Sequence, residues 1–177
     1  MKIINAQEQY VKAKNEIAIF LGGSCGSKNW RNDVIKFLKQ IEKDKVLALS
    51  SMVLINPFIK NWNPTDEDLE KQIKWEAEMI DQSDIYSCYL DSSSEAAISL
   101  FELGRSLYQF KDKYANWNLA YRIIVSAHPE YARLKDLDFE LKAITKNWKS
   151  PINGVLNEKN VTMHASKILE SYIKLSK

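Results

Sequence analysis

The chain has 177 residues, of which 45% are hydrophobic and 27% charged, and its formal net charge is +2 at pH 7. This length suits one domain with one sizeable core, and the composition excludes disordered, collagen-like and coiled-coil chains. The charge is spread along the chain without the basic stripe of a nucleic-acid-binding surface, so we expect no nucleic-acid polymer as a partner.

The lengths of the apolar runs and the positions of cysteine and histidine bear on cellular location and on metal binding. No run is long enough to cross a bilayer or to form a signal-peptide core, which predicts a cytoplasmic protein without a membrane partner. The two cysteines, Cys25 and Cys88, and the two histidines, His128 and His164, fall at no metal-ligand spacing. We therefore predict no metal site.

The first predicted elements follow a short polar leader. Residues 17–21 are apolar at every position, as in a strand buried on both faces of a parallel sheet, and they stop at the turn 22–24. Residues 30–42 carry apolar side chains at helical spacing. The next apolar run, 53–55, predicts a second strand that ends at Asn56-Pro57, because proline cannot continue a central ladder.

A polar loop at 58–66 follows and carries an exposed aromatic side chain, Trp62. Helical periodicity then covers residues 69–80, and residues 85–90 have the composition of a third strand. A second polar loop at 91–95 leads into the following helix. Strand and helix therefore keep alternating through the middle of the chain.

The last third begins regularly and becomes less so. Residues 96–107 have a strong helical pattern, and residues 123–125 form a fourth apolar run. A helix near 134–144, an irregular stretch around 151–154 and a terminal helix from about Thr162 complete the prediction.

This alternation predicts a doubly wound, flavodoxin- or Rossmann-like parallel α/β sheet in a single domain over residues 1–177, with helices at its C-terminal end. Ligands of such sheets bind beyond the carboxyl ends of the strands. The rule selects four candidate site segments: 22–27, 56–62, 91–95 and 126–131.

The glycine-rich turn at residues 22–27 is the first candidate for chemistry. Its backbone N–H groups and two hydroxyls could face a phosphate or a sugar at the start of the next helix. The turn matches neither a Walker A sequence nor GxGxxG, so a tight strand-to-helix turn explains it equally well.

Glu102 is a second candidate, because it lies in the middle of a predicted helix between Phe101 and Leu103. A carboxylate in this position either points to solvent or is held at a functional surface. Together with Glu76 or Asp84 it could form the carboxylate set of glycosyl transfer, in which one group attacks the anomeric carbon and another manages the leaving-group proton. Asp84 is better explained as a turn residue entering a strand, so Glu76 is the preferred acid.

Five short motifs occur in order between residues 17 and 131: Phe20-Leu21-Gly22-Gly23-Ser24, Asn56-Pro57 with Trp62, Gln72-Ile73-Lys74-Trp75-Glu76, Ser83-Asp84-Ile85 and Ser99-Leu100-Phe101-Glu102-Leu103-Gly104. Their order and spacing resemble the nucleoside 2-deoxyribosyltransferase-like family, most closely its branch with a Gln-Ile-x-Trp-Glu segment.

The resemblance implies that Glu102 attacks C1′ of a nucleoside or nucleoside monophosphate and that Glu76 exchanges a proton with the base. The resemblance implies a homo-oligomer and does not imply a cofactor. The residues that we predict to bind substrate, from these motifs and segments, are Gly22, Gly23, Ser24, Asn56, Trp62, Trp75, Asp91 and Ser94. Trp75 has the alternative of being a core residue at helical spacing.

Two positions depart from the family pattern. Several members have a tyrosine at the position of Phe20, and its hydroxyl steadies the nucleophile. Many have an aspartate that holds the sugar hydroxyls at the position of Ala96, where Asp91, Ser94 or Glu95 could take over. Hydrolysis of the nucleoside therefore stays open beside base exchange.

Other functions remain open on the same fold. The two departures favour a non-catalytic nucleotide-binding sensor or interaction domain, whereas the retained glutamates oppose it. A nicotinamide or flavin oxidoreductase is disfavoured because the phosphate fingerprint is missing. For the expected oligomer interface we select an aromatic cluster, whose alternative is a place in the core: Tyr108, Phe110, Tyr114 and Trp117.

Overall fold

A computed structural model describes residues 1–25, 29–114, 119–148, 155–157 and 160–177. Three sequence-based predictions lie outside these residues: the end of the glycine-rich turn at Gly26 and Ser27, the aromatic Trp117, and the irregular stretch 151–154.

The described strands form one parallel sheet. In chain order they are β1 (Lys2–Asn5), β2 (Ile17–Gly23), β3 (Met52–Asn56), β4 (Ile85–Leu90), β5 (Ile123–Ala127) and β6 (Leu156–Asn157). Their order across the sheet is β1-β3-β2-β4-β5-β6, and each described pair is parallel. With β1 set aside, this is the flavodoxin-like order, in which the direction of winding reverses beside β2. The predicted doubly wound parallel sheet is confirmed.

Helices cover both faces of this sheet. They are α1 (Trp30–Lys43), α2 (Asp66–Gln82), α3 (Ala97–Lys113), α4 (Leu134–Thr145) and α5 (Val161–Leu175). Side chains of α2, α3 and α4 form one hydrophobic cluster with the strands, and those of α1 and α5 form a second cluster on the other face. The even-numbered positions of β2 and β4 face α2 and α3, as Phe20 and Tyr86 do.

Two short strands were not predicted. The polar leader contains β1, an edge strand that pairs with β3 and buries Ile4. Four residues at an edge are too few for alternation to stand out from a loop. The two-residue β6 is shorter still, and α3 continues to Lys113, beyond the predicted end at residue 107.

A capping box defines the start of α2. Thr65 accepts a hydrogen bond from the backbone N–H of Asp68, and the Asp68 carboxylate accepts one in return from the Thr65 N–H. This capping box satisfies two donors of the first turn. Across the described part of the chain, we find no helix with the length and apolar character needed to span a membrane.

Candidate active site

A pair of carboxyl groups joins α2 to α3 on one face of the sheet. The carboxyl groups of Glu76 and Glu102 lie within hydrogen-bonding distance, a contact that two ionised carboxylates cannot make. Burial, the charge of Glu76 and the hydrogen bond to it raise the pKa of Glu102 to about 8, against the pull of Arg105 and Arg31. Glu102 therefore keeps its proton at neutral pH and can donate it to Glu76 in this hydrogen bond.

Gln72 holds one member of this pair in place. Its Nε2 donates to the backbone oxygen of Pro57 at 3.2 Å and to Oε1 of Glu76 at 2.8 Å. The side chain is buried. Gln72 lies in the Gln-Ile-x-Trp-Glu motif, and its position one helical turn before Glu76 is the sequence signal for this supporting role.

A cleft of about 820 Å³ opens beside Glu76 and Gln72, beyond the carboxyl ends of β2 and β3. This volume lies within the usual range of small-molecule sites. Apolar and amide side chains line it, together with one lysine and Cys25: Asn29, Asn32, Pro57, Phe58, Ile59, Lys60, Asn61 and Trp62. The combination suits a flat heteroaromatic ring with polar edges.

The turn after β2 packs tightly against β4, which explains its glycines. A Cβ on Gly23 would lie 2.1 Å from the carbonyl oxygen of Tyr89, and the residue has a φ of +122°. A Cβ on Gly22 would lie 2.6 Å from the hydroxyl oxygen of Tyr86. The buried Ser24 accepts a 3.0 Å hydrogen bond from the backbone N–H of Asp91. These contacts give all three residues a packing role at the edge of the sheet.

Arg31, on α1, fixes the same turn from the other side. Its Nε, Nη1 and Nη2 donate to the backbone oxygens of Leu21, Ser24 and Gly23 at 2.7, 3.0 and 2.9 Å. The guanidinium is buried and forms no salt bridge to any described residue. Its charge favours the ionised form of Glu102. No local pattern in the sequence separates Arg31 from the other cations of its helix.

Two predicted binding residues, Trp75 and Asn56, make contacts within the fold. Trp75 is buried in the core, and its Nε1 donates to the backbone oxygen of Glu8 at 2.8 Å. Trp75 thus has the position of a core residue, as the alternative describes, and it is not among the described residues that border the cleft. Asn56 is also buried, and its Oδ1 accepts from the N–H of Phe58 at 3.3 Å, which shapes the first residues of the cleft loop.

The acids considered beside the glutamate pair lie elsewhere. Asp84 accepts from the N–H of Ala18 at 2.9 Å and forms a 2.6 Å ion pair with Lys12, at the amino edge of the sheet. Asp91 accepts from the N–H of Ser93 at 2.9 Å and borders a different cleft, on the face covered by α1 and α5. Neither acid lines the cleft beside Glu76.

The loop before α3 contains the remaining predicted residue. Ser94 accepts a 3.2 Å hydrogen bond from the N–H of Ala96, which has the left-handed backbone angles φ 52° and ψ 38°. The hydroxyl of Tyr131 donates to the backbone oxygen of Glu95 at 2.8 Å and ties this loop to the end of β5. The loop therefore sets the N-terminus of the helix that carries Glu102.

The aromatic cluster selected for an interface is not a surface cluster in the described structure. Phe110 is fully buried, and Tyr114 is half-buried with the Arg122 guanidinium 3.8 Å from its ring centre. Of the three described members only Tyr108 is exposed. The exposed apolar side chains near Glu102 are instead Ile98 and Phe101, each 74% exposed on α3.

Within the described ranges, no group of three or more histidine, cysteine, aspartate or glutamate side chains is arranged to hold a metal ion.

A flavodoxin-like sheet with a carboxyl pair and a cleft beyond its carboxyl edge defines a small-molecule-binding α/β protein. The family model described as nucleoside 2-deoxyribosyltransferase like matches residues 16–118, which is more than half of the chain. The protein therefore belongs to the nucleoside 2-deoxyribosyltransferase-like family, and the resemblance predicted from the motifs is confirmed. Membership supports glycosyl transfer or N-glycosidase chemistry in general, with a nucleoside as ligand. No curated protein matched the chain in a sequence comparison.

Proposed function

We propose that the protein cleaves the N-glycosidic bond of a nucleoside or nucleoside monophosphate, with Glu102 as nucleophile and Glu76 as acid. The (deoxy)ribosyl group then passes to another base or to water. The observation that carries this proposal is the hydrogen-bonded carboxyl pair beside a cleft that suits a nucleobase. Two carboxyl groups with different protonation states are what such a displacement needs.

In the first step the shared proton moves along the hydrogen bond to Glu76, which leaves Glu102 ionised. A carboxylate oxygen of Glu102 attacks C1′ and forms an ester bond. The C1′–N bond breaks, its electron pair goes to the base nitrogen, and that side of the base takes the proton from Glu76. The products are a neutral base, a glycosyl-enzyme and an ionised Glu76.

In the second step a new base or a water molecule attacks C1′, and the ester bond to Glu102 breaks with its electron pair on the carboxylate. Glu76 accepts the proton that the incoming nucleophile loses. The pair again holds one proton, so the cycle closes without a cofactor. Each attack inverts the configuration at C1′, so the two attacks together retain it.

The cleft supports a placement of the substrate within this scheme. Trp62 and the apolar side chains of the cleft loop would cover the faces of the base, and Glu76 would meet its leaving nitrogen. The sugar would then extend toward Glu102. Lys60 and the amides of Asn29 and Asn61 offer donors for ring oxygens or a phosphate.

Self-association forms part of the proposal. Ile98 and Phe101 are exposed apolar side chains on the helix that carries Glu102, and Phe101 directly precedes it. Neighbouring exposed apolar side chains can mark a protein interface. A second copy of the chain that covers this patch would also exclude water from the nucleophile.

Incubation with a panel of nucleosides and their 5′-monophosphates, followed by chromatography for free base, tests the activity. We expect base release from the wild type and none from Glu102→Ala. The matched control is Glu70→Gln, an exposed acid of α2 that pairs with Lys74, and it should keep wild-type rates. Binding without base release would favour the nucleotide-sensor alternative, and activity that survives in Glu102→Ala would reject the nucleophile.

A further inference from the structure

Two buried hydroxyl groups below the carboxyl pair lack hydrogen-bond partners. They are the hydroxyl of Tyr86, on β4, and that of Ser106, one helical turn after Glu102 on α3; both residues are fully buried. The two hydroxyls are close enough for Ser106 to lower the pKa of Tyr86, but their geometry falls short of a hydrogen bond. Within the described residues neither has another partner, which is unusual for buried polar groups.

The fold makes room for the Tyr86 hydroxyl at the carboxyl end of β2. Tyr86 pairs with Phe20 in the sheet, and their rings stack in parallel with centroids 5.9 Å apart and planes 8° apart. The hydroxyl lies against Gly22, where a Cβ would approach it to 2.6 Å. Any other residue at position 22 would displace the hydroxyl, so glycine keeps this space free.

The position of the hydroxyl also brings it under the influence of Glu102. Burial is the main reason why the pKa of Tyr86 is raised, and the charges of Cys88 and Glu102 add to it. Two cations, Arg31 and Arg105, act on Glu102 in the opposite sense to Glu76. The charged groups that act on Glu102 lie on α1, α2 and α3, and Tyr86 is a neutral hydroxyl donor on β4.

We propose that Tyr86 is a positioning residue, which donates a hydrogen bond to Glu102 once Glu102 has passed its proton to Glu76. Ser106 donates in turn to the Tyr86 oxygen, so both hydroxyls gain partners in that state. The inference rests on the proposed function. It adds a second hydrogen-bond partner that holds the nucleophile. Glu102 is held by Glu76 while it is protonated and by Tyr86 while it is ionised.

This arrangement has two physical consequences. A hydrogen bond donated to a carboxylate favours its ionised form, so Tyr86 makes the proton transfer to Glu76 less unfavourable. It also restricts the orientation of the attacking oxygen, which matters because small misplacements of a nucleophile are costly in rate. Tyr86 does not touch the substrate in this scheme, since its hydroxyl oxygen is buried.

The first test moves the hydroxyl between the two stacked rings. Tyr86→Phe should lower kcat by roughly 10- to 100-fold with KM changed less than about twofold, because the substrate contacts are intact. Combined with Phe20→Tyr, which returns a hydroxyl to the same face from β2, it should recover much of the loss. The control Tyr114→Phe removes a hydroxyl that bonds Asp84 at the opposite edge and should leave kcat unchanged. Wild-type kcat in Tyr86→Phe would overturn the inference while the proposed function stands.

The second test needs no activity. Carbon-13 labelling of glutamate carboxyls, with Glu102→Gln to assign the signal, gives the pKa of Glu102 by NMR titration. In Tyr86→Phe this pKa should rise by about 0.5 or more, because the ionised form loses a donor. An unchanged pKa would overturn the role of Tyr86. If the wild type cleaves no nucleoside, the proposed function fails, and this titration still decides whether Tyr86 supports the ionised Glu102.

Discussion

The amide of Gln72 donates a 2.8 Å hydrogen bond to Oε1 of Glu76, one turn later on the same helix. Its second bond, to the backbone oxygen of Pro57, fixes the amide in the orientation that presents N–H groups to Glu76. Glu76 is therefore held as an acceptor, which favours the resting state in which Glu102 carries the shared proton. The amide also keeps Glu76 at the wall of the cleft, where a leaving base would meet it.

Gln72→Leu should lower kcat by about tenfold, because the acid loses the group that orients it. Leucine has a similar size and suits a buried site, so we expect the variant to fold. Steady-state kinetics with the best substrate of the panel measures the effect. The exposed neighbour Ile73 supplies the control, as Ile73→Leu should behave like the wild type. Unchanged kcat in Gln72→Leu would show that Glu76 needs no support.

Activity should fall as the pH rises above about 8. The proposed cycle starts from a pair that holds one proton, and the raised pKa of Glu102, about 8, marks the loss of that proton. Above this pH Glu102 has lost its proton, so no proton can pass through Glu76 to the base. A pH–rate profile of kcat between pH 6 and pH 10 measures the alkaline limb. A rate that stays flat up to pH 10 would contradict a role for the shared proton.

The fold was more accessible to sequence reasoning than the site. Apolar runs and helical spacing report burial, and burial decides the strands and helices of this sheet, from Ile17–Gly23 to Ile123–Ala127. The carboxyl pair was found because its spacing resembles a family. The hydroxyl of Tyr86 and the bonds of Arg31 depend on contacts between neighbouring strands and helices. Nothing local in the sequence marks them, and a buried arginine is rare enough that solvent exposure was the natural expectation.

Glu102→Gln should increase the stability of the protein at neutral and alkaline pH. The pKa of Glu102 is near 4.5 in the unfolded chain and about 8 in the folded protein, so the folded state binds the proton more tightly. The wild type therefore loses free energy of unfolding as the pH rises from about 4.5 to about 8. Glutamine does not titrate and avoids this loss.

We expect Glu102→Gln to unfold at higher urea concentration than the wild type at pH 8, by a free energy on the order of 1–3 kcal/mol. The difference should vanish near pH 4, where the wild-type carboxyl is protonated in both states. Equilibrium urea unfolding at the two pH values measures it. Equal stability at pH 8 would show that Glu102 is not held as a buried, protonated acid.

Ala96→Asp should shift the protein from hydrolysis toward base exchange. Ala96 caps α3 in a left-handed conformation without a side-chain hydrogen bond, at the position where many family members carry an acid for the sugar hydroxyls. Neither Asp91 nor Glu95 is among the described residues that border the cleft beside Glu76, and Tyr131 binds the backbone oxygen of the exposed Glu95. We therefore expect neither of them to hold the sugar hydroxyls. A loosely held glycosyl-enzyme is more open to water before a second base arrives. Aspartate tolerates left-handed angles better than alanine, so the substitution should not strain the loop.

The measurement is the ratio of exchanged nucleoside to free sugar, from a deoxynucleoside mixed with an excess of a second base. We expect hydrolysis to be at least as prominent as exchange in the wild type and the ratio to rise by about threefold or more in Ala96→Asp, an effect of under 1 kcal/mol on the competing barriers. Ala96→Asn is the matched control, since asparagine has the same shape and backbone preference as aspartate but carries no charge. If Asn and Asp raise the ratio equally, the order of the loop matters more than a carboxylate. If the wild type already gives mainly exchanged nucleoside with little free sugar, Ala96 does not weaken the hold on the sugar and another group performs that task.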